Sequence, residues 1–197
     1  VFFLARILGA LYFINNIDDK DLVARSRRSL IGNSVLFLVF FLSFVIRTLL
    51  ADGYAVNPET GEIFMEPYKY LTNFIEMPVV LVLFLIGVVL VLFGIGKSLL
   101  KPKFDKGIWF TGIGTVLAVL ALLLVAGYNH TAYYPSTNDL QSSLTLANSC
   151  SSEFTLRVMF YVSFLVPFVL AYIFYAWRSI DIHKIDEKEM KDGGHSY

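Results

Sequence analysis

The chain has a single cysteine, Cys150, so it cannot close an internal disulfide, and no paired-cysteine metal spacing is possible. It has only three histidines. His130 follows the third apolar run, and His183 and His195 fall in the polar C-terminal stretch. A haem held inside a membrane needs His, Met or Cys within a span. Met159, near the start of the last apolar run, is a packing residue in the absence of a second ligand. Charge is scarce too. Charged residues make up 16% of the chain, where soluble domains carry about 25%. Lys+Arg and Asp+Glu balance at 16 each, so nothing favours nucleic acid as a partner. No phosphate-binding glycine loop, nucleophile triad or metal-ligand spacing is present.

What fills the chain is apolar. Hydrophobic residues make up 56%, and the mean hydropathy is +0.65. The polar residues gather between long apolar runs. The first run, Val1–Ile14, spans about 21 Å as a helix, against about 30 Å for a bilayer core. It contains Arg6, and Asn15-Asn16-Ile17-Asp18-Asp19 follows in place of a small-residue cleavage site. It reads as the end of a spanning helix whose beginning is missing, which makes the chain a fragment. Asp18–Ser29 is a charged, helix-friendly connector.

Four full spans follow: Leu30–Leu50, Pro78–Leu100, Ile108–Tyr128 and Leu156–Trp177. Between the first two, Asn57-Pro58-Glu59-Thr60-Gly61 places proline early in a turn and glycine where a left-handed residue is wanted. Its flanks, Tyr54-Ala55-Val56 and Ile63-Phe64-Met65, are strand-prone, so a surface β-hairpin is expected. The expected fold is all-α and membrane-embedded: a four-helix transmembrane bundle over residues 30–177, the end of a preceding helix and a connector over 1–29, and a polar tail over 178–197. Lys20, Arg25, Arg27, Arg28, Lys97, Lys101, Lys103, Lys106, Arg178, Lys184, Lys188 and Lys191 all fall on one side, so that side and the C-terminus are read as cytoplasmic.

Few residues invite a chemical role. Asn73 and Glu76 have capping-box spacing ahead of the second span. Glu76 and Arg157 are the ionisable groups nearest the outer edge. Each could meet a proton or a quinone headgroup; against that stand capping for Glu76 and an Arg157–Glu153 surface pair. Pro167 lies mid-span and predicts a kink, because its ring crowds the Ser163 carbonyl and it lacks an amide donor. Gly94 and Gly96, and Gly112 and Gly114, flank the Lys97–Lys106 link at matched depth. They are expected to line a close antiparallel contact.

The loop between the last two spans is the most individual stretch. Tyr128, Tyr133 and Tyr134 cluster before Pro135, as suits a membrane–water boundary. Ser152 is a good N-cap, with Glu153 in the first turn behind it.

Tyr133-Tyr134-Pro135-Ser136, Ser142-Ser143-Leu144-Thr145, Ser151-Ser152 and Thr155-Leu156-x-Val158-Met159 resemble subunit II of a cytochrome bd-type quinol oxidase. So do Val166–Tyr172 and the Asn73-Phe74…Pro78 segment. The resemblance covers nearly all of the chain but only the C-terminal part of that subunit. Where the family has an amide, this chain has Glu76.

The resemblance implies a bacterial inner-membrane enzyme that oxidises quinol, reduces dioxygen to water and generates a proton gradient. It implies haems b and d in a partner, subunit I, beside a haem-poor subunit II built of two four-helix bundles. This chain would be the second bundle. It would act as scaffold, with no catalytic residue of its own, no cofactor or metal beyond a structural quinone or lipid, and contact with quinol only through the complex. The family's proton- and oxygen-path residues would lie mainly in the other half. A different class, a small transporter or lipid-binding membrane protein, would want broken helices with polar groups at the midplane. The centres Val79–Leu92 and Val116–Val125 are almost wholly aliphatic.

Overall fold

The computed structural model describes residues 1–180; His183, His195 and most of the polar tail lie outside the described residues. The order is α1 (Phe2–Asn16), α2 (Lys20–Leu50), β1 (Gly53–Val56), β2 (Ile63–Glu66), α3 (Lys69–Glu76), α4 (Pro78–Leu100), α5 (Gly107–Gly127), α6 (Glu153–Ser163) and α7 (Val166–Ile180), with a 3₁₀ turn at Leu140–Ser142. The fold is all-α with one small hairpin. Among the described residues, four stretches are long and apolar enough to cross a membrane: α2, α4, α5 and Glu153–Ser179.

The charged connector is not separate from the first span. It forms the opening turns of α2, which runs unbroken for 31 residues. Lys20–Ser29 holds no glycine or proline, and the Asp19 side chain accepts the Leu22 amide at 2.7 Å as an N-cap. At about 46 Å, α2 exceeds the bilayer core, so its charged turns stand outside.

The hairpin forms where the turn chemistry put it. Gly53 pairs with Glu66 and Val56 with Ile63, antiparallel. Asn57 Oδ1 accepts from the Glu59 amide at 2.9 Å, and Gly61 takes φ +74°. A left-handed residue is needed there, and glycine adopts it without a Cβ clash.

The packed unit differs from the four expected spans. The bundle consists of α1, α2, α4 and α5. Ile7, Leu11 and Ile14 of α1 are buried against Leu30, Val91 and Ile95. A second core layer, Phe74, Val80, Phe84, Ala118, Ala121 and Val125, lies nearer the hairpin. The fourth span has no buried residue. The helix end at 1–16 takes the place expected for it. Lipid tails are as apolar as leucine, so hydropathy does not determine which apolar helices pack together.

The fourth span is also broken. Helix α6 ends at Ser163 and α7 begins at Val166, with Pro167 in its first turn. The Phe164 and Leu165 amides bond three residues back, to Tyr161 at 3.2 Å and Val162 at 2.9 Å. This is the interruption that Pro167 predicts, since no i→i−4 bond can form at its nitrogen.

Candidate functional site

Two places position polar or small residues with precision. The first is at the hairpin end. Helix α3, which the sequence reading did not anticipate, is a short amphipathic element at the edge of the spans. Tyr68, Leu71 and Ile75 are exposed on one face; Lys69, Asn73 and Phe74 are buried on the other. Such a helix suits a membrane surface.

Asn73 sits mid-helix and fully buried, so the expected capping box does not form. Met77 flanks α4 without a side-chain cap, and Pro78 opens the helix at a position where no amide is needed. Asn73 instead ties three segments together. Its Nδ2 donates to the Val125 carbonyl at 2.9 Å and to Thr131 Oγ1 at 2.8 Å, and its Oδ1 accepts from Asn129 Nδ2 at 3.1 Å. The same Asn129 amide donates to Glu76 Oε2. Burial raises the pKa of the neighbouring Tyr70 hydroxyl above its usual value, with Tyr54 adding to the shift.

The chain past α5 is shaped to complete this network. Asn129 and His130 both lie in the left-handed region, at φ 56° and 53°. Each such non-glycine residue costs on the order of 1–3 kcal/mol and is held only by its surroundings. Here the hairpin holds them. The Val56 amide donates to the His130 carbonyl, and the Ala132 amide to the Tyr54 carbonyl, both at 2.8 Å. Residues 130–132 thus pair with β1 as a third, irregular strand.

Farther along, Gln141 bonds the backbone of Ile63 twice, at 2.9 and 2.8 Å, and pins the Tyr-rich loop to β2. A polar cleft of ≈ 370 Å³ lies between the hairpin and residues 129–130, lined by Glu66, Lys69, Glu76 and His130 among others. Arg157 is not part of this site. It pairs with Glu153 on α6, both side chains well exposed, as the surface reading expected.

The second place is the α4–α5 contact. Apart from Ile95, which is buried in the cluster with α1, the buried positions on α4 fall at 80, 84, 87, 91, 94 and 98, and those on α5 at 107, 111, 114, 118, 121 and 125. Both series step by four and three alternately, the heptad spacing of a supercoiled pair. A Cβ on Gly94 would lie 2.3 Å from Thr111 Oγ1, and one on Gly107 would lie 2.0 Å from Ser98 Oγ. A Cβ on Gly87 would lie 2.8 Å from the Gly114 carbonyl, and one on Gly114 would lie 2.6 Å from that of Gly87.

Gly94 and Gly114 therefore line the contact as expected, but Gly96 and Gly112 do not. Nothing lies within 4 Å of a Cβ on either. Two residues along a helix is a rotation of about 200°, so 94 and 96 face opposite ways, as do 112 and 114. The pairing partners are also corrected: Gly94 meets Gly107 and Thr111, and Gly114 meets Gly87.

At the basic end, Arg27 reaches from α2 to the end of α4. Its guanidinium donates to the carbonyls of Ser98, Lys101, Pro102 and Phe104, the Pro102 contact at 2.6 Å. A cation there answers the unpaired carbonyls and the negative end of the helix dipole. Lys97 Nζ lies over the rings of Phe93 and Phe104, at 4.9 and 4.4 Å.

The sequence matches the family model described as cytochrome bd terminal oxidase subunit II over residues 1–180. The chain belongs to the cytochrome bd terminal oxidase subunit II family. It is 28% identical over 156 residues to the cytochrome bd-I ubiquinol oxidase subunit 2 of Escherichia coli strain K12. The same protein from strains O6:H1 and O157:H7 matches equally. The match covers 78% of this chain and 39% of those relatives, so the chain spans about two fifths of their length.

Sequence reasoning missed Asn129 and Gln141, and it read His130 only against haem ligation and Arg27 only as a charge that sets orientation. A detectable signal existed for the glycines alone, in the seven-residue spacing of 87 and 94 and of 107 and 114. An apolar cavity of ≈ 430 Å³ opens beside α1 and α2, with Thr115 its one polar side chain. Nothing there could ligate a haem iron. His130, Met159 and Cys150 are all exposed, away from this cavity.

Proposed function

We propose that this chain is the scaffold half of subunit II in a bacterial inner-membrane oxidase that takes electrons from quinol and reduces dioxygen to water. Haems b and d belong to the partner, subunit I, and quinol is met only through the complex. The family match over residues 1–180 carries this reading. The structure supports a packing role in three ways. The α4–α5 contact is built from small residues at heptad spacing, Asn73 locks the hairpin-end loop onto the bundle, and Arg27 locks the basic end.

The basic end faces the cytoplasm in this reading, because lysine and arginine concentrate there. Lipid, or a structural quinone, packs against the exposed apolar faces. Transport is disfavoured because α4 and α5 are unbroken and apolar at their centres, and the one break, at Phe164–Leu165, has apolar neighbours. The test is isolation of the tagged full-length subunit from its native membrane. A haem-bearing partner should accompany it, with quinol-dependent oxygen uptake; a colourless, solitary chain would overturn the reading.

A further inference from the structure

We propose that the polar cleft under the hairpin binds the primary ammonium of an aminophospholipid headgroup, with Glu76 as its counter-ion. The charges in the cleft point to a cation. Lys69 Nζ lies 3.1 Å from Glu66 Oε2 with its side chain 8% exposed, so these two cancel. Glu76 makes no ion pair among the described residues. Its charge is left over, and it is exposed. One of its oxygens is fixed by Asn129, a left-handed residue next to His130, whose carbonyl the hairpin bonds. The carboxylate is therefore oriented before any ligand arrives, and pre-ordering of this kind lowers the entropic cost of binding.

Depth points to a lipid. Glu76 stands two residues before Pro78, where α4 begins, and His130 three residues after Gly127, where α5 ends. That is headgroup level for both spans. Ile75 and Val79, next to this junction in the chain, are 68% and 71% exposed and offer an apolar surface to acyl chains. The chemistry narrows the cation further. No three His, Cys, Asp or Glu side chains among the described residues are grouped to hold a metal ion. A quaternary ammonium is recognised by a cage of Trp, Tyr or Phe faces, and the cleft has one such ring, Phe64, with only the His130 imidazole beside it. A primary ammonium instead needs hydrogen-bond acceptors, which Glu76 supplies.

The inference rests on the membrane placement in the proposed function and not on its redox chemistry, so haem content and lipid binding can fail separately. The test is zero-length carbodiimide coupling on the assembled oxidase, reconstituted in vesicles of phosphatidylethanolamine and phosphatidylglycerol. An amide between Glu76 and the lipid amine is read by peptide mass spectrometry. Adducts at Glu76 should exceed those at Glu153, the exposed carboxylate opening α6, by at least fivefold. Glu76→Gln, which keeps the acceptor for Asn129, should abolish them.

Replacing phosphatidylethanolamine by phosphatidylcholine, with free ethanolamine at the same amine concentration, should give at least fivefold less adduct at Glu76. Equal labelling of Glu76 and Glu153 would overturn the site. Equal labelling by free ethanolamine would overturn the lipid as its ligand. The wild type must also retain phosphatidylethanolamine over phosphatidylcholine by several-fold after delipidation; equal retention contradicts the proposal without any variant.

Discussion

Gly94 of α4 lies directly against Thr111 of α5, so close that a single added carbon would sit 2.3 Å from the threonine hydroxyl oxygen. Four residues on, Ser98 bears on Gly107 in the same way. Each helix thus offers a glycine to the other's hydroxyl, and neither hydroxyl has a conventional hydrogen-bond partner among the described residues. Contacts of carbonyl, hydroxyl and glycine Cα at this range bring backbones together where the hydrophobic effect gives little drive.

Gly94→Leu should lower the melting temperature of the assembled complex and the yield of assembly. Overpacking typically costs about 1–3 kcal/mol, and backbone at both ends of the clash leaves little room to relax. Gly112→Leu and Gly96→Leu should leave both quantities near wild type, because each faces open space. Thermal unfolding of the three variants side by side checks this. If Gly112→Leu were the damaging one, the described contact would be wrong.

Asn73→Leu should strip bonds from the Val125 carbonyl, Thr131 and Asn129 together. Each buried polar group left unsatisfied costs about 1–3 kcal/mol. The expected readout is faster proteolysis within residues 128–150 before any loss of the spans. Unchanged protection of that loop would show that Asn73 is not what fastens it.

Arg27→Ala should destabilise the basic end by about 1–2 kcal/mol, since one guanidinium serves four carbonyls. Arg27→Lys should recover less than half of that, because an ammonium is a point charge without a planar fork. Hydrogen exchange of the amides in 98–106 measures it. Full recovery by lysine would mean that charge alone matters there.

Topology has its own test. With Cys150 replaced, a cysteine at Thr60 should react with a membrane-impermeant thiol reagent in cells whose inner membrane is intact. One at Lys103 or Ser179 should be shielded. The reverse pattern would invert the orientation drawn from the positive charges.

Much of this architecture is legible in the sequence, and the failures have physical causes. Hydropathy runs set α4 and α5 to within a residue, and the Asn57–Gly61 turn set the hairpin, because each depends on local chemistry alone. Which helices pack together was not legible: α1 displaced the fourth span because lipid and leucine offer similar surroundings. Helix α3 was hidden since eight residues carry too little periodicity to stand out from a cap. Asn73 was singled out for the wrong reason. Its spacing to Glu76 fits a capping box, but its role depends on Val125 and Thr131, more than fifty residues away. Of the glycines, 94 and 114 were placed by depth, while 96 and 112 needed the helical rotation as well.

The central claim is that this chain serves a haem-bearing oxidase without handling electrons itself. Turnover per haem in complexes carrying Gly94→Leu tests it most directly. Membranes should contain less assembled oxidase, while quinol-dependent oxygen uptake per haem in what remains should stay within about twofold of wild type. Assembly at the wild-type level with turnover per haem reduced tenfold or more would place this bundle in the chemistry and contradict the scaffold account.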